Sequence, residues 1–280
     1  MMRVFVEGIG LRAPGLNGWP ASRGVLTGRY PHLAEPAVVP ACDLLPPAER
    51  RRAVPAVKMA MAVGGEAFDH AARDAAATAT VFASSSGDAQ TIHQIFEMLA
   101  EPEPAMSPTR FHNSVHNAPA GYWSIAAGSR EPSTSLSCAD DTFAAGLLEA
   151  AAQVTVERRC VGLIAYDLPY PPPLDAAHPI PDPFGTALVL SPDATPRTLM
   201  RLDITLGGAA IDQDREGVDR EAATTLPDAS LEAIRRTNPA ARALPLLAAL
   251  ARALLDRAVP DRVVLDYPGM QQVIVVVTPC

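Results

Sequence analysis

Cys138 is the residue whose setting could do chemistry. It follows a short polar run, Ser133, Thr134, Ser135, Leu136 and Ser137, and precedes an apolar stretch, Ala139 to Val154, with helical character. A strand delivering a thiol to a helix start offers free N–H groups and the positive end of a dipole, and both favour a thiolate. The alternative is a buried structural cysteine, because free Cys is among the most buried residue types. Asp140 and Asp141 stand in the first turn after it. Carboxylates there oppose the dipole and favour the thiol. A nucleophile with no nearby base, flanked by two acids, is a poor one.

Two further constellations could carry chemistry. His112 and His116 stand four apart, with Asn113 and Asn117 interleaved. On a continuous helix that spacing could place both on one metal ion. Pro119 and the loop composition argue against such a helix and no third ligand is evident, so hydrogen-bonded loop histidines are expected and no metal. Asp167, Asp175 and Asp182 fall in Pro-rich stretches and read as turn caps rather than acid–base groups. Arg50, Arg51 and Arg52 could meet an anionic carrier or phosphate; a solvated face near a helix start is the plainer reading.

The elements that position these residues follow from apolar pattern and turn chemistry. Arg3 to Leu11 alternates and ends in glycines, which predicts a first strand. Residues 13–48 are rich in Pro and Gly without periodicity and read as a long surface excursion. A helix opens at Pro46–Glu49, and an apolar helix runs from about Val54 to Ala75. Thr78 to Ser84 predicts a buried strand, followed by a Ser/Gly turn and a helix over Ala89 to Leu99, the mark of an α/β layered fold. The turn is not GxGxxG, so no dinucleotide site is expected. A Pro- and His-bearing loop leads to a small-residue helix, Ala118 to Ala127. Cys160 to Asp167, Phe184 to Leu190 and Met200 to Ala209 predict further strands, with a Pro-rich loop over Leu168 to Pro183. Residues 211–240 read as a charged surface segment with a short helix near Leu231. Leu244 to Leu255 is a strongly apolar helix. Arg262 to Asp266 and Val273 to Val277 close the chain as strands, and the run VIVVV suits a strand covered on both faces.

Composition bounds the function. A chain of 280 residues, 48% apolar, can bury a full core. The net charge of −8 argues against nucleic acid. The four cysteines, Cys42, Cys138, Cys160 and Cys280, form no CxxC pair and read as reduced thiols. The opening MMRVFVEGIG lacks the pattern of a secretory signal, and no run has the length of a membrane span, so a cytoplasmic chain is expected.

At this point the residues carry a resemblance. SPTRFHNSVHNAPAGYWSIA resembles the segment that leads into the helix before the nucleophile strand of β-ketoacyl synthases, in the thiolase superfamily; Pro108, Asn117 and Gly121 match. SCADDTFAAG is similar to the nucleophile turn, with Cys138, Ala139, Ala144 and Gly146 matching. VFASSSGD and the arginine-led helix match in kind and order. DPFGTALVLSP is similar to the segment closing the first half, although the acidic, glycine-rich run expected there is eroded.

The resemblance implies a thiolase-like layered fold (α/β/α/β/α) in one domain, 1–280. It would have a complete first half, 1–195, and a reduced second half, 196–280. The subgroup most similar is the short ketosynthase-like chain length factors, many of which lack the Cys. The resemblance implies no cofactor, a heterodimer with a full-length β-ketoacyl synthase, and an acyl carrier protein reached through that complex. It places Ser133 to Ser137 as the strand that pairs across the dimer axis. Thr109, Arg110, Phe111, His112 and Asn117 fall at the partner's acyl tunnel. There Phe111 is either a tunnel plug or an anchor in this chain's own core, and Arg110 turns to Asp140, Asp141 or the rim.

The departures bear on function. A ketosynthase takes two histidines and a lysine from its second half. Here no histidine follows His178 and the only lysine is Lys58. The expected role is a non-catalytic or weakly catalytic partner subunit in fatty-acid-like, polyketide or aryl-polyene chain assembly. Two rivals stand: an autonomous acyltransferase or condensing enzyme using Cys138, and a purely structural subunit.

Overall fold

The computed structural model describes residues 1–103, 105–208, 221–256, 260–269 and 271–280. In chain order it forms β1 (Met2–Ala13), β2 (Leu16–Asn17), α1 (Trp19–Leu26), α2 (Pro47–Arg52), α3 (Pro55–Ala71), β3 (Ala79–Ala83), α4 (Ala89–Leu99), α5 (Pro108–Asn113), α6 (Ala118–Ala127), β4 (Ser133–Leu136), α7 (Thr142–Glu157), β5 (Val161–Asp167), α8 (Leu174–Ala177), β6 (Phe184–Ser191), β7 (Met200–Gly208), α9 (Ala229–Thr237), α10 (Leu244–Asp256), β8 (Asp261–Asp266) and β9 (Gln271–Pro279). Single 3₁₀ turns lie at Ala75–Ala77, Ala139–Asp141 and Ala240–Ala243.

The strands form one mixed sheet in the order β4-β3-β5-β6-β1-β7-β9-β8, with β2 folded back on the end of β1. β3 runs parallel to β4 and β5. The pairings from β5 through β6, β1, β7 and β9 to β8 are antiparallel. The apolar runs explain the central strands: every residue of β3, β5 and β6 is buried, as expected where helices cover both faces. One face packs α3 and α6 against Phe82, Ile164, Ala187 and Val189. The other packs α7, α10 and α1 in a single core with the inner faces of both halves of the sheet. In α10, Leu244, Leu246, Leu247, Ala249, Leu250 and Ala251 are all fully buried. A helix apolar all round belongs inside, and each such Leu contributes about 1.5–3 kcal/mol.

Several expectations are corrected. Residues 13–48 are not simply a surface excursion. They hold α1, and Leu16, Trp19, Leu26, Cys42 and Leu45 are buried. Glycines and prolines interrupt the spacing there, so no periodicity shows, yet the Trp19 N–H is anchored on Glu66 (2.6 Å). The helix expected to reach Ala75 stops at Ala71. Ala72 turns left-handed (φ 47°), and the N–H groups of Ala72 and Arg73 donate to the carbonyls of Asp69 and Phe68. That closes the last turn and frees Arg73 to pair with the buried Glu7. Burial pushes the Glu7 carboxyl up, but its bonds to Arg73 and Thr195 outweigh this and hold it below the usual range.

The Pro-rich loop contains α8, and the stretch before α6 contains α5 capped by Ser107. The helix expected from Ala139 begins instead with a 3₁₀ turn, and its α-helical part runs to Glu157. VIVVV is a strand but alternates: Val273, Val275 and Val277 are buried while Ile274 and Val276 are partly exposed. α10 packs on its inner face, and antiparallel strands can leave the other face open. Of the charged segment expected over 211–240, residues 211–220 and the strand end Ala209 lie outside the described residues; α9 holds the expected short helix.

α3 lies unusually close to β1. A Cβ on Gly10 would stand 2.0 Å from the Val63 carbonyl oxygen, a backbone atom that cannot yield. Gly10→Ala is expected to cost about 3 kcal/mol or more, read as a lowered midpoint in chemical denaturation; an unchanged midpoint would contradict the close contact.

Candidate functional site

Cys138 sits where β4 passes into the 3₁₀ turn that opens α7, and it is half-buried. The turn is tight. The Cys138 N–H donates to Thr142 Oγ1 (2.9 Å), and the Thr142 hydroxyl donates to the Ala139 carbonyl (2.6 Å). Ala139 carries φ 47°, a left-handed conformation that costs a non-glycine residue about 1–2 kcal/mol. Ser137 Oγ donates to the Ser85 carbonyl (2.7 Å), tying the turn to the end of β3.

Burial, and then the Asp141 carboxylate, push the Cys138 thiol up from its ordinary value. Among the described residues no side chain hydrogen-bonds its sulfur. The nearby cation is Arg242, from the 3₁₀ turn before α10. Its guanidinium lies 3.1 Å from Asp140, 3.7 Å from Asp266 and 4.0 Å from Asp141. His178 Nε2 also approaches Asp140 (3.4 Å) and its ring packs on Tyr170. The positive groups at this mouth are therefore held on carboxylates.

The other expected residues divide into two groups. Asn117, Ser133 and Ser135 come together, lining an open trough of about 500 Å³ with His116, Ala120, Gly121 and Ser124. Thr134 and Leu136 are half-buried in the same strand, with Thr134 accepting from Gln153 (3.0 Å). β4 stands at the end of the sheet order, so one of its edges has no strand partner among the described residues. Thr109, Arg110, Phe111 and His112 lie apart from that trough on α5, which packs against α4 and α6, and all four are exposed. Phe111 is 62% exposed, which removes the reading that it anchors this chain's core. Arg110 does not turn to Asp140 or Asp141; Arg242 holds both. α4 also exposes Phe96 and Leu99, and α6 exposes Ile125.

His112 and His116 do not converge. His112 packs edge-on against Tyr122, and His116 Nε2 bonds the Ser84 carbonyl (2.9 Å). Among the described residues no group of three His, Cys, Asp or Glu side chains is arranged to hold a metal ion. The arginine triplet is built into the fold at two points. Arg50 bonds Asp43 (2.9 Å) and the Leu45 carbonyl, and the Arg52 carbonyl accepts from Asn113 (2.9 Å).

Asp167 is the residue the sequence concealed. It caps no turn of its own Pro-rich loop. It is fully buried and accepts from Ser84 Oγ (3.1 Å), Ser85 N (2.8 Å), Ser85 Oγ (2.7 Å) and Ala240 N (3.0 Å). Arg242 was also missed; the one signal for it is a lone cation inside ARALPLLAAL.

A family model described as the N-terminal domain of β-ketoacyl synthases matches residues 27–252. Among curated proteins none matches the sequence. Three solved structures are similar over nearly the whole chain. A ketosynthase (ApeO) in complex with its chain length factor (ApeC), from Xenorhabdus doucetiae, is 21% identical, with 99% of this chain and 100% of that one covered and a TM-score of 0.69. The ishigamide ketosynthase/chain length factor is 16% identical, with 100% and 99% covered and a TM-score of 0.70. AntDE:AntF, a type II polyketide synthase acyl-carrier protein with its ketosynthase, is 11% identical, with 100% and 99% covered and a TM-score of 0.75. At these identities the likeness establishes the fold, an α/β thiolase-like layered arrangement.

Two outcomes follow from the geometry. Asp141→Asn removes a negative charge beside the thiol, so iodoacetamide at neutral pH should modify Cys138 faster than in the wild type; an unchanged rate would remove Asp141 as a cause. Phe111→Ala should shift stability by less than about 0.5 kcal/mol, against the 3–5 kcal/mol of a core aromatic, as read by thermal denaturation.

Proposed function

The chain belongs to the β-ketoacyl synthase family, whose N-terminal domain model spans residues 27–252, and on that premise we propose that it is a partner subunit of the chain length factor kind. It pairs with a full-length β-ketoacyl synthase, meets an acyl carrier protein through that complex, and is non-catalytic or weakly catalytic in fatty-acid-like, polyketide or aryl-polyene chain assembly. Among the described residues no helix is long and apolar enough to cross a membrane, and the reading places the complex in the cytoplasm.

The observation that carries the proposal is the setting of Cys138. Its thiol is pushed up by burial and by Asp141, and the adjacent cation Arg242 is engaged with three carboxylates. A nucleophile needs an adjacent base or a lowered pKa to act, and this environment works against both. A second observation bears on pairing. β4 ends the sheet, and an unpaired strand edge is something proteins normally cover. A partner's strand laid along Ser133 to Leu136 would cover it, filling the trough between β4 and α6. Phe111, exposed on α5, then reaches the partner's acyl tunnel as its apolar end.

The rival, in which Cys138 accepts an acyl group, draws on the strained Ala139 turn that holds the thiol half-open. Kinetics separate the two. The pure chain should yield no ketoacyl product from acyl and malonyl carrier thioesters. Cys138→Ala should leave the activity of the complex largely intact; a fall of about 10²-fold or more, the scale of a lost catalytic group, would favour the rival. Sizing should give a heterodimer with the ketosynthase, and a monomer that persists beside it at micromolar concentration would contradict the pairing. In that complex Phe111→Ala should lengthen the products. Lengths unaltered by Phe111→Ala, Arg110→Ala and Thr109→Phe alike would remove α5 from any part in setting them.

A further inference from the structure

We propose that Asp167 is a positioning residue: its buried carboxylate fixes the Ser84–Ser85 turn, and through it sets both the Cys138 turn and the loop bearing His116. This goes beyond the partner-subunit reading and does not depend on it.

Three residues converge on the carboxylate. Asp167 Oδ1 accepts from Ser84 Oγ, Ser85 N and Ser85 Oγ, and Oδ2 accepts from Ala240 N. The turn so held gives out its own bonds. Ser84 Oγ accepts from Gly87 N (2.9 Å) and the Ser84 carbonyl bonds His116 Nε2 (2.9 Å). The Ser85 carbonyl accepts from Ser137 Oγ (2.7 Å), one residue before Cys138. Asn238, just before the 3₁₀ turn of Ala240, bonds the Asp167 carbonyl (3.2 Å) and the Asp182 carbonyl (3.0 Å). One buried group thus joins β3, β5, the nucleophile turn, the interface loop and the second half.

All four donors suit a carboxylate, and a carboxylic acid would accept them more weakly while carrying an O–H to place. A proton on Oδ1, which takes three of the four bonds, displaces a donor. The backbone N–H groups of Ser85 and Ala240 cannot turn away, but the Ser85 hydroxyl can, because Tyr170 OH lies 3.3 Å from it. Protonation therefore loosens the turn at Ser85, the residue that holds Ser137. Burial pushes Asp167 up to about 6, with the bonds from Ser85, Ser84 and Ala240 holding it down. The other titratable groups facing this network are Tyr166, its chain neighbour; Tyr170, on Ser85; His116, on Ser84; and Asp88, which caps α4. No cation bonds the carboxylate among the described residues; Arg242 and His178 are drawn to Asp140.

The test reads the reaction of Cys138 in the full chain with 4,4′-dithiodipyridine from pH 4.5 to 8, followed on the Cys138 peptide. In the wild type the profile should show a step in the mildly acid range besides thiol ionisation. His116→Gln and His178→Gln should keep that step, and Asp167→Asn should abolish it. Hydrogen exchange at neutral pH should show the 137–142 turn and the 114–117 loop losing protection together, roughly tenfold or more, in Asp167→Asn. Ser137→Ala should loosen the first alone. If Asp167→Asn does not fold, Ser85→Ala decides, since it removes one donor only and should shift the step. A wild-type profile with no acid step, or one that the His variants abolish, overturns the proposal. So does exchange that changes only beside residues 167 and 240.

Discussion

β1 has to satisfy hydrogen bonds along two edges, and the means by which it does so holds the two halves of the protein together. One edge pairs with β6 over most of its length. The other pairs with β7 only from Met2 to Val6. Beyond that point the strand continues for seven residues with a buried backbone, where an unpaired N–H or C=O costs about 1–3 kcal/mol. Side chains of α3 complete the edge. The Ile9 N–H donates to His70 Nδ1 (3.2 Å) and the Leu11 N–H to Glu66 Oε2 (3.0 Å), while the Leu11 carbonyl accepts from Gly18 N (3.0 Å). For those side chains to reach, α3 must lie against the strand, and Gly8 and Gly10 provide the room. Glu66 also takes the Trp19 N–H and pairs with Arg12, so one carboxylate seats α1 as well. The sheet can pass from the first half to the second because its middle strand is closed in this way.

The electrostatics at the Cys138 turn follow from what the second half contributes. Residues 196–280 bring no histidine or lysine; their contribution near the thiol is Arg242. Asp140, Asp141 and Asp266 draw that guanidinium, and ionic hydrogen bonds of this kind are stronger than a neutral thiol could offer. The result is a thiol pushed up beside a neutralised acidic cluster. A strained turn and a half-buried sulfur sit in a field that disfavours the thiolate.

The legible parts of the sequence were those in which local pattern decides. VFA, GLIAYD and FGTALVL read as buried strands because helices do cover both faces. The sequence around Cys138 read as a strand-to-helix turn because its small polar residues and following apolar period are local signals. α1 was hidden because Gly18 and Pro20 mask an eight-residue helix whose burial is set by a distant carboxylate. The alternation of β9 was missed because five consecutive apolar residues look alike whether one face or two are covered. Glu66, Asp167 and Arg242 were not legible at all. Their partners lie 55, 82 and 102 positions away, and no local pattern distinguishes a fully buried Asp from one that caps a turn.

These long-range contacts give the C-terminal part of the chain a structural task at the Cys138 turn. Its 3₁₀ turn at Ala240–Ala243 supplies a backbone N–H to Asp167 and the guanidinium to Asp140. α10 fills the inner core, and β7 extends the sheet from β1. Removing this half would leave a buried carboxylate short of a donor and an acidic pair short of a cation. It would also leave the Met2–Val6 stretch of β1 without the partner that β7 provides, each a cost of kcal/mol size in a molecule of marginal stability. The second half is therefore held by structural demand at the very turn where Cys138 sits.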